Sequence, residues 1–201
     1  MRNITWHRLS QLLLVLVLQG AVSCDRTQRV MVVIRTEVGD IEVEVFMDKA
    51  PVTAANFLAL VEQDVYTNAL FYRVVRMDNQ PQNRVKIEVV QGGLFDDDRV
   101  NIYSPIDHET TETTRIKHTD GVISMARNEP GSASTEFFIC IGDQPSLDFG
   151  GERNPDGQGF AAFGKVTRGM EVVREIQGLP DNGQYLQKHV LIREMKASKG
   201  Y

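Results

Sequence analysis

Short apolar segments that alternate with polar residues begin near residue 29 and predict β-strands. Residues 29–36 are rich in β-branched and apolar side chains, and residues 41–46 alternate apolar residues with glutamates. A short connection at residues 37–40, which contains a glycine, separates the two segments. Because successive side chains of a strand point to opposite faces, this pattern predicts a hairpin with one face in water.

Further short apolar segments follow the first hairpin. They cover residues 70–76, 85–90, 121–126, 136–141, 161–167 and 190–195. The polar stretch at residues 77–84 separates the first two, which are therefore expected to form a hairpin with a long connection. An irregular acidic stretch then runs to about residue 117.

Two segments have the apolar spacing of an α-helix. The first begins at Pro51 and extends to about Val65, because a proline fits the first turn of a helix and apolar residues recur there at helical spacing. The second covers residues 170–176. Eight short antiparallel strands with two helices predict a mainly β fold that closes into a barrel, since closure removes exposed strand edges.

The first 23 residues have the pattern of a secretory signal peptide. Arg2 and Arg8 precede an apolar run at residues 12–18, and small residues at 21–23 stand where a signal peptidase cleaves. The apolar run is too short to cross a bilayer comfortably. We therefore expect residues 1–23 to be removed and the protein to be exported to a bacterial periplasm.

Cys24 directly follows these small residues, and residues 21–24 together resemble the lipobox of bacterial lipoproteins. In that interpretation Cys24 becomes a lipidated first residue that anchors the protein to the membrane. The alternative is an ordinary cleaved signal that leaves a cysteine. The rest of the chain is long enough for one domain. It divides into a linker at residues 24–29, a domain at 30–197 and a tail at 198–201.

The charge balance argues against partners that are held by a basic surface. The first 23 residues contain two of the 22 basic residues and no acidic residue. The remainder of the chain therefore has 20 basic and 27 acidic residues, a net charge of −7. This sign disfavours nucleic acid and anionic membranes. The four histidines, His7, His108, His118 and His189, have no metal-ligand spacing. The sequence also has no phosphate-binding glycine loop. We expect no metal and no other cofactor.

Cys140 is the only cysteine besides Cys24, and it lies in the apolar run at residues 137–141. A cysteine in such a run usually behaves as a small buried hydrophobe. Two cysteines do not make a disulfide framework, although export would allow disulfides to form. We therefore expect Cys140 to be buried and to have a packing role.

Six short motifs occur in a fixed order along the chain. They lie at residues 49–51 with 56–57, 71–75, 91–93, 121–127, 136–139 and 163–166. In this order and at this spacing they resemble the motifs of cyclophilins of the compact bacterial kind, over nearly all of residues 30–197. The resemblance implies an eight-stranded barrel capped by two helices, with a peptide groove on its outer face and peptidyl-prolyl cis/trans isomerase activity.

The resemblance implies that Arg73 is the catalytic residue. Rotation about an X–Pro bond abandons amide resonance and crosses a barrier of about 18–20 kcal/mol. In the twisted transition state the prolyl nitrogen becomes a hydrogen-bond acceptor, so a fixed guanidinium that donates to it lowers the barrier. Without the motifs around it, Arg73 would instead be interpreted as a salt-bridge partner on a strand; the motifs favour the catalytic role.

The resemblance also implies which residues bind the substrate. The apolar notch for the proline ring is expected to be lined by Val89, Phe138, Leu147 and Phe160. Gln91 is expected to hydrogen-bond the substrate backbone near the arginine. The residue before proline is expected to make main-chain contacts, which tolerate many sequences, with Ala126, Arg127 and Asn128. Each apolar residue of the notch, taken alone, also fits an ordinary core position.

Several positions depart from the family pattern. Tyr72 stands in place of a histidine before the catalytic arginine, and the stretch at residues 74–90 is longer than usual. The pair Glu88-Val89 replaces a Phe-Met pair, and Ser146 replaces a tryptophan that binds a macrocyclic inhibitor. At these positions the resemblance therefore does not determine the depth of the pocket, the catalytic rate or the affinity for the inhibitor.

Glu136 is a further departure, because it replaces a glutamine of the substrate pocket. In one interpretation its carboxylate pairs with Arg73 and holds the guanidinium, or competes with the substrate for it. In the other interpretation Glu136 faces solvent at a strand end and changes little.

Three function classes are compatible with these observations. The first is an isomerase that acts on exported polypeptides, because X–Pro isomerisation is a slow folding step. The second is a non-catalytic module that binds proline-containing peptides in a degenerate pocket. Either would take unfolded or extended proline-containing chains as partners and is expected to be monomeric. The third, a barrel that encloses a small apolar ligand, is disfavoured because the cyclophilin motifs cover most of the chain.

Overall fold

The structure is a computed structural model, and it describes residues 29–199. The predicted signal segment and Cys24 lie outside the described residues, as do the last two residues of the predicted tail.

The domain is a closed antiparallel β-barrel. The described strands are β1 (Val30–Thr36), β2 (Asp40–Val45), β3 (Ala69–Val75), β4 (Val89–Gly93), β5 (Val122–Met125), β6 (Phe137–Cys140), β7 (Ala161–Arg168), β8 (Asp181–Asn182) and β9 (Tyr185–Lys199). Their order is β1-β2-β7-β5-β6-β4-β3-β9, and pairing of β1 with β9 closes the ring. The short β8 pairs with β9. The predicted eight-stranded barrel is confirmed, with β8 as an additional strand.

Both predicted helices are present, and the structure adds two single turns. The helices of the described residues are α1 (Pro51–Glu62), α2 (Asp97–Val100), α3 (Thr111–Thr114) and α4 (Met170–Gln177). The added turns α2 and α3 begin at capping side chains: Asp96 accepts from the backbone N–H of Asp98, and Thr110 accepts from that of Thr113. A four-residue helix is too short to show an apolar period, which is why the acidic stretch reads as irregular. No helix among residues 29–199 is long and apolar enough to cross a membrane.

Aromatic side chains fill the interior of the barrel. Phe57 of α1 packs against Phe163 of β7 with 4.9 Å between ring centroids, and Phe71 of β3 packs edge-on against Phe137 of β6 at 5.8 Å. The Tyr66 ring joins this cluster, and its hydroxyl donates to the backbone oxygen of Thr135. Such packing supports a solid core, and it argues against a barrel that encloses an apolar ligand.

Two strand boundaries differ from the sequence prediction. The strand predicted at residues 85–90 begins instead at Val89 and continues through Gly92 and Gly93. Glycine is required at Gly92 because a Cβ there would lie 2.8 Å from the Phe71 ring. The strand predicted at residues 190–195 is also longer, since β9 begins at Tyr185 and pairs with both β1 and β3.

Candidate functional site

A groove of about 720 Å³ runs over the outer face of the barrel. Its lining includes all ten of the predicted site residues: Arg73, Val89, Gln91, Ala126, Arg127, Asn128, Glu136, Phe138, Leu147 and Phe160. These residues come from six separate parts of the chain. The fold therefore brings together every residue that was predicted to act on or bind the substrate.

A β-bulge at Tyr72 turns Arg73 toward the groove. Phe71 and Arg73 are two residues apart and would share one face of a regular strand. The register of β3 shifts between them, however, so Phe71 pairs with Gly92 while Arg73 pairs with Gln91. Phe71 consequently packs inside the barrel, whereas Arg73 lines the outer groove.

Arg73 stands in a row of paired residues that crosses four strands. Phe138 of β6 pairs with Gln91 of β4, Gln91 pairs with Arg73 of β3, and Arg73 pairs with Tyr185 of β9. Neighbouring strands are about 4.8 Å apart. The row therefore places the guanidinium beside the predicted glutamine and within a few strand spacings of the apolar notch.

Two glutamines hold the guanidinium of Arg73. Gln91 Oε1 accepts a hydrogen bond of 2.8 Å from Nη1, and Gln184 Oε1 accepts from Nε at 3.1 Å and from Nη2 at 2.6 Å. Among the contacts that residues 29–199 make, these engage three of the five N–H groups of an arginine. The guanidinium plane is thereby fixed while donors are left for a ligand.

The position of Glu136 differs from both sequence interpretations. Its Oε2 accepts a 2.6 Å hydrogen bond from the Tyr72 hydroxyl, and its Oε1 accepts one of 2.6 Å from the backbone N–H of Leu94. The carboxylate thus neither pairs directly with Arg73 nor stands free in solvent. Burial raises the pKa of Glu136, and these hydrogen bonds only partly offset that effect.

A chain of hydrogen bonds nevertheless links Glu136 to Arg73. Gln91 Nε2 donates to the Tyr72 hydroxyl at 2.6 Å, while Gln91 Oε1 accepts from Arg73. The connected order is Arg73, Gln91, Tyr72 and Glu136. Burial and the nearby Glu136 carboxylate raise the pKa of Tyr72, so its hydroxyl keeps the proton that it donates.

The apolar notch forms a second hydrophobic cluster, separate from the barrel core. Its buried members are Val75, Ile87, Val89, Phe138, Cys140 and Leu147, and Ala126 and Phe160 pack against them. The rings of Phe138 and Phe160 meet edge-on with centroids 5.3 Å apart. Cys140 is free and buried, as predicted, and burial raises the pKa of its thiol. A compact apolar group such as a prolyl ring matches this surface.

A buried polar trio supports the floor of the notch. The His118 ring stacks on Phe138 at 6.0 Å between centroids. Its Nδ1 lies 2.9 Å from Asp148 Oδ1 and its Nε2 lies 3.0 Å from Ser124 Oγ. The Asp148 carboxylate can only accept, so Nδ1 donates to it. Burial alone would raise the pKa of Asp148, but the hydrogen bonds from His118 outweigh it and lower the pKa.

The side chain of Arg127 holds one wall of the notch. Its guanidinium makes two 2.9 Å hydrogen bonds to the carboxylate of Asp156, donates to the Gly159 carbonyl and covers the Phe160 ring at 5.1 Å. The backbone N–H of Ala126 donates to the Glu136 carbonyl at 2.8 Å. The side chain of Arg127 therefore supports the wall of the notch, and the main-chain contacts of this segment with the substrate stay a prediction.

The longer stretch between β3 and β4 leaves the Arg73–Gln91 pairing intact. It folds back on itself around the buried Gln80, whose Nε2 donates to the carbonyls of Arg76 and Ile87. Arg153 donates to Gln80 Oε1 and closes this loop against the end of the groove. The added residues thus form an ordered border.

Sequence reasoning missed Gln184, which holds Arg73 although it is not part of the groove lining. It also missed Phe95, Arg153 and Tyr185, which do line the groove, and Phe95 and Tyr185 are substantially exposed. The dipeptide Asn182-Gly183 is a strong hairpin signal and could have placed Gln184 in a turn. Nothing in the local pattern connects that turn to Arg73. Within the described residues, no group of three His, Cys, Asp or Glu side chains is arranged to hold a metal.

Comparisons with known proteins agree with this architecture. A family model described as cyclophilin type peptidyl-prolyl cis-trans isomerase/CLD matches residues 31–197. A peptidyl-prolyl cis-trans isomerase of Acinetobacter baylyi is 30% identical over 170 residues, which are 84% of this chain and 83% of that protein. Peptidyl-prolyl cis-trans isomerase B of Escherichia coli is 36% identical over 152 residues, which are 74% and 85% of the two chains.

Solved structures show the same fold. A crystal structure of a cyclophilin type peptidyl-prolyl cis-trans isomerase from Cryptosporidium parvum matches with a TM-score of 0.67 at 22% identity, and it covers 87% of this chain and 99% of that one. A second structure of that protein, in the presence of the dipeptide Ala-Pro, gives a TM-score of 0.64 at 23% identity and covers 82% and 96%.

Proposed function

Because the chain belongs to the cyclophilin-type peptidyl-prolyl cis-trans isomerase family, we propose that its outer groove isomerises X–Pro bonds of exported polypeptides with Arg73 as the catalytic residue. The observation that carries the proposal is the placement of a guanidinium, held by Gln91 and Gln184, beside an apolar notch. Isomerase activity follows from the family. The role of Arg73 and the exported substrates are the further content of the proposal.

The notch suits the ring of a proline residue. The buried side chains of Val89, Phe138 and Leu147 and the edge of Phe160 form a surface on which an apolar ring loses contact with water. The Cryptosporidium parvum relative with the same fold was studied with Ala-Pro, which supports a proline-containing ligand here. Holding the ring fixes one side of the X–Pro bond while the other side rotates.

Arg73 would then act on the bond at the moment when it is twisted. The prolyl nitrogen of a planar amide is a poor acceptor because its electron pair is delocalised, and in the twisted state it regains that pair. A guanidinium that is already fixed donates to this nitrogen without reorganising, so it stabilises the transition state more than either planar isomer. The step requires no covalent intermediate.

The proposal that the substrates are exported rests on the sequence alone. Residues 1–23 have the charge and apolar pattern of a signal peptide, and Cys24 follows a lipobox-like segment. The mature enzyme would then act in the periplasm, either dissolved there or anchored through a lipid on Cys24. Proline-containing chains that fold after export would be its substrates.

The test is an isomerisation assay on a short X–Pro peptide, by coupled proteolysis or by NMR exchange, with peptide binding measured in parallel. We expect the wild-type protein to accelerate exchange between the cis and trans isomers. Binding without acceleration would favour the alternative, a non-catalytic module. Absence of both would contradict the assignment of the groove.

A further inference from the structure

We propose that Gln184 is a positioning residue for isomerisation, which holds the guanidinium of Arg73 at the groove by a side chain carried on a strained turn. This inference rests on the proposed catalytic role of Arg73. It assigns a task to a residue that lies 111 positions away along the chain and that comes from the β8–β9 hairpin.

The contact between Gln184 and Arg73 is a double one. A single oxygen, Gln184 Oε1, accepts from both Nε and Nη2, which lie on one edge of the guanidinium. Gln91 Oε1 accepts from Nη1 on the other side. Two hydrogen bonds to one acceptor on this edge and a third to a second acceptor on the other side leave the planar group little freedom to rotate, so both glutamines are needed to define its orientation.

The backbone of Gln184 adopts a conformation that its residue type disfavours. Asn182 pairs with Tyr185, and the two residues between them have positive φ angles, 59° for Gly183 and 79° for Gln184. This is the signature of a type I′ turn, whose central positions favour glycine or asparagine. A glutamine at this position destabilises the folded state, because its side chain disfavours a positive φ. The contact of that side chain with Arg73 explains why a glutamine is nevertheless present.

Neighbouring groups hold both the backbone and the amide of Gln184. Its N–H donates to Asp181 Oδ2 at 2.9 Å, and its carbonyl accepts from the backbone N–H of Val74 at 2.8 Å. The side-chain Nε2 donates to the Asn79 carbonyl at 3.2 Å, which turns Oε1 toward Arg73. Asn79 belongs to the long β3–β4 connection, so that connection supports the same contact.

The decisive variant is Gln184→Asn. Asparagine tolerates a positive φ and keeps an amide, but it is one methylene shorter and cannot span the same distance to Arg73. We expect kcat to fall by about tenfold to a hundredfold, as misplaced catalytic groups do, while KM and the thermal midpoint stay unchanged. The matched control is Gln187→Asn, which makes the same change at an exposed position of β9.

A double-mutant cycle and an NMR signal separate positioning from a structural effect. In an Arg73→Lys background, Gln184→Asn should lower the rate no further, because the planar group that it orients is gone. In the wild-type protein the Nε–H signal of Arg73 should be protected from solvent exchange, and Gln184→Asn should remove that protection.

Wild-type activity in Gln184→Asn, with Arg73→Ala inactive, would overturn the inference and leave the proposed function standing. Full activity in Arg73→Ala would overturn the proposed function itself. If Gln184→Asn fails to fold, Gln184→Gly replaces it, since glycine relaxes the turn and also removes the contact. A folded Gln184→Gly protein that retains full activity would refute the positioning role.

Discussion

The hydroxyl of Tyr72 donates a 2.6 Å hydrogen bond to Glu136 Oε2 and accepts one of 2.6 Å from Gln91 Nε2. Tyr72 occupies the bulge that directs Arg73 outward. Tyr72 therefore lies at the point that sets the direction of the Arg73 side chain, and it connects the Gln91 partner of Arg73 to a buried carboxylate. This chain of hydrogen bonds connects Glu136 to Arg73, and the two residues make no ion pair among the described contacts.

The first prediction concerns the pH dependence of stability at Glu136. Burial raises the pKa of this carboxyl above its unfolded value, so its contribution to stability is present at low pH and is lost as pH rises through the folded pKa. Glu136→Gln removes that loss. The free energy of unfolding of the variant should therefore rise relative to that of the wild type as pH increases above the ordinary pKa of a glutamate, about 4.3. Urea unfolding of both proteins measures this, and a difference that is constant or falls with pH would contradict it.

The second prediction concerns Arg73. Arg73→Ala should lower kcat/KM by about 10²–10³, equivalent to roughly 2.7–4 kcal/mol, with little change in thermal midpoint. Arg73→Lys should recover little activity, because a flexible point charge does not reproduce a planar fork held by two glutamines. The control is Arg193→Ala, at an exposed arginine outside the groove lining. Loss of activity that merely follows unfolding would return Arg73 to a structural role.

The third prediction concerns the trio beneath the notch. Hydrogen bonds from His118 lower the pKa of Asp148 despite its burial, so the stabilisation is present above the unfolded pKa and is lost as pH falls through the folded pKa. Asp148→Asn should lower the free energy of unfolding by about 1–3 kcal/mol near neutral pH, and the gap should close in acid. Unfolding measured at several pH values tests how the difference in free energy of unfolding between variant and wild type changes with pH. As pH rises, Asp148→Asn should lose stability relative to the wild type, whereas Glu136→Gln should gain it. A gap that widens in acid would contradict the hydrogen-bond assignment.

The fourth prediction is that activity does not depend on a metal. The proposed chemistry uses a guanidinium and an apolar surface, neither of which needs an ion. Dialysis against a chelator should leave the isomerisation rate of the wild-type protein unchanged. Activity that is lost on dialysis and restored by a divalent cation would refute the mechanism.

The fifth prediction concerns the N-terminal segment. Mass spectrometry of protein isolated from its native host should find residues 1–23 removed, because their pattern is that of a signal peptide. A diacylglyceryl adduct on Cys24 would identify the lipoprotein, and an unmodified cysteine the soluble form. An intact Met1 in the isolated protein would show that residues 1–23 are not removed as a signal peptide, and it would contradict the prediction.

The sequence by itself determined the class of fold and half of the residues that line the groove. Period-two alternation and short apolar segments predicted the strands, because the side chains of a strand alternate between its faces whatever its partners are. Helical spacing likewise predicted α1 and α4. The order of the motifs singled out Arg73, Gln91 and Phe138, which the fold places on one transverse row.

Only the tertiary structure decided how the groove residues are held. The bulge at Tyr72 depends on the register between β3 and β4, and the contact between Gln184 and Arg73 joins residues 111 positions apart. Glu136 hydrogen-bonds Tyr72 and Leu94 because the sheet places the start of β6 and the end of β4 beside the middle of β3. Such contacts depend on strand register and on how far side chains reach in three dimensions. The local pattern of apolar and polar residues in the sequence determines neither.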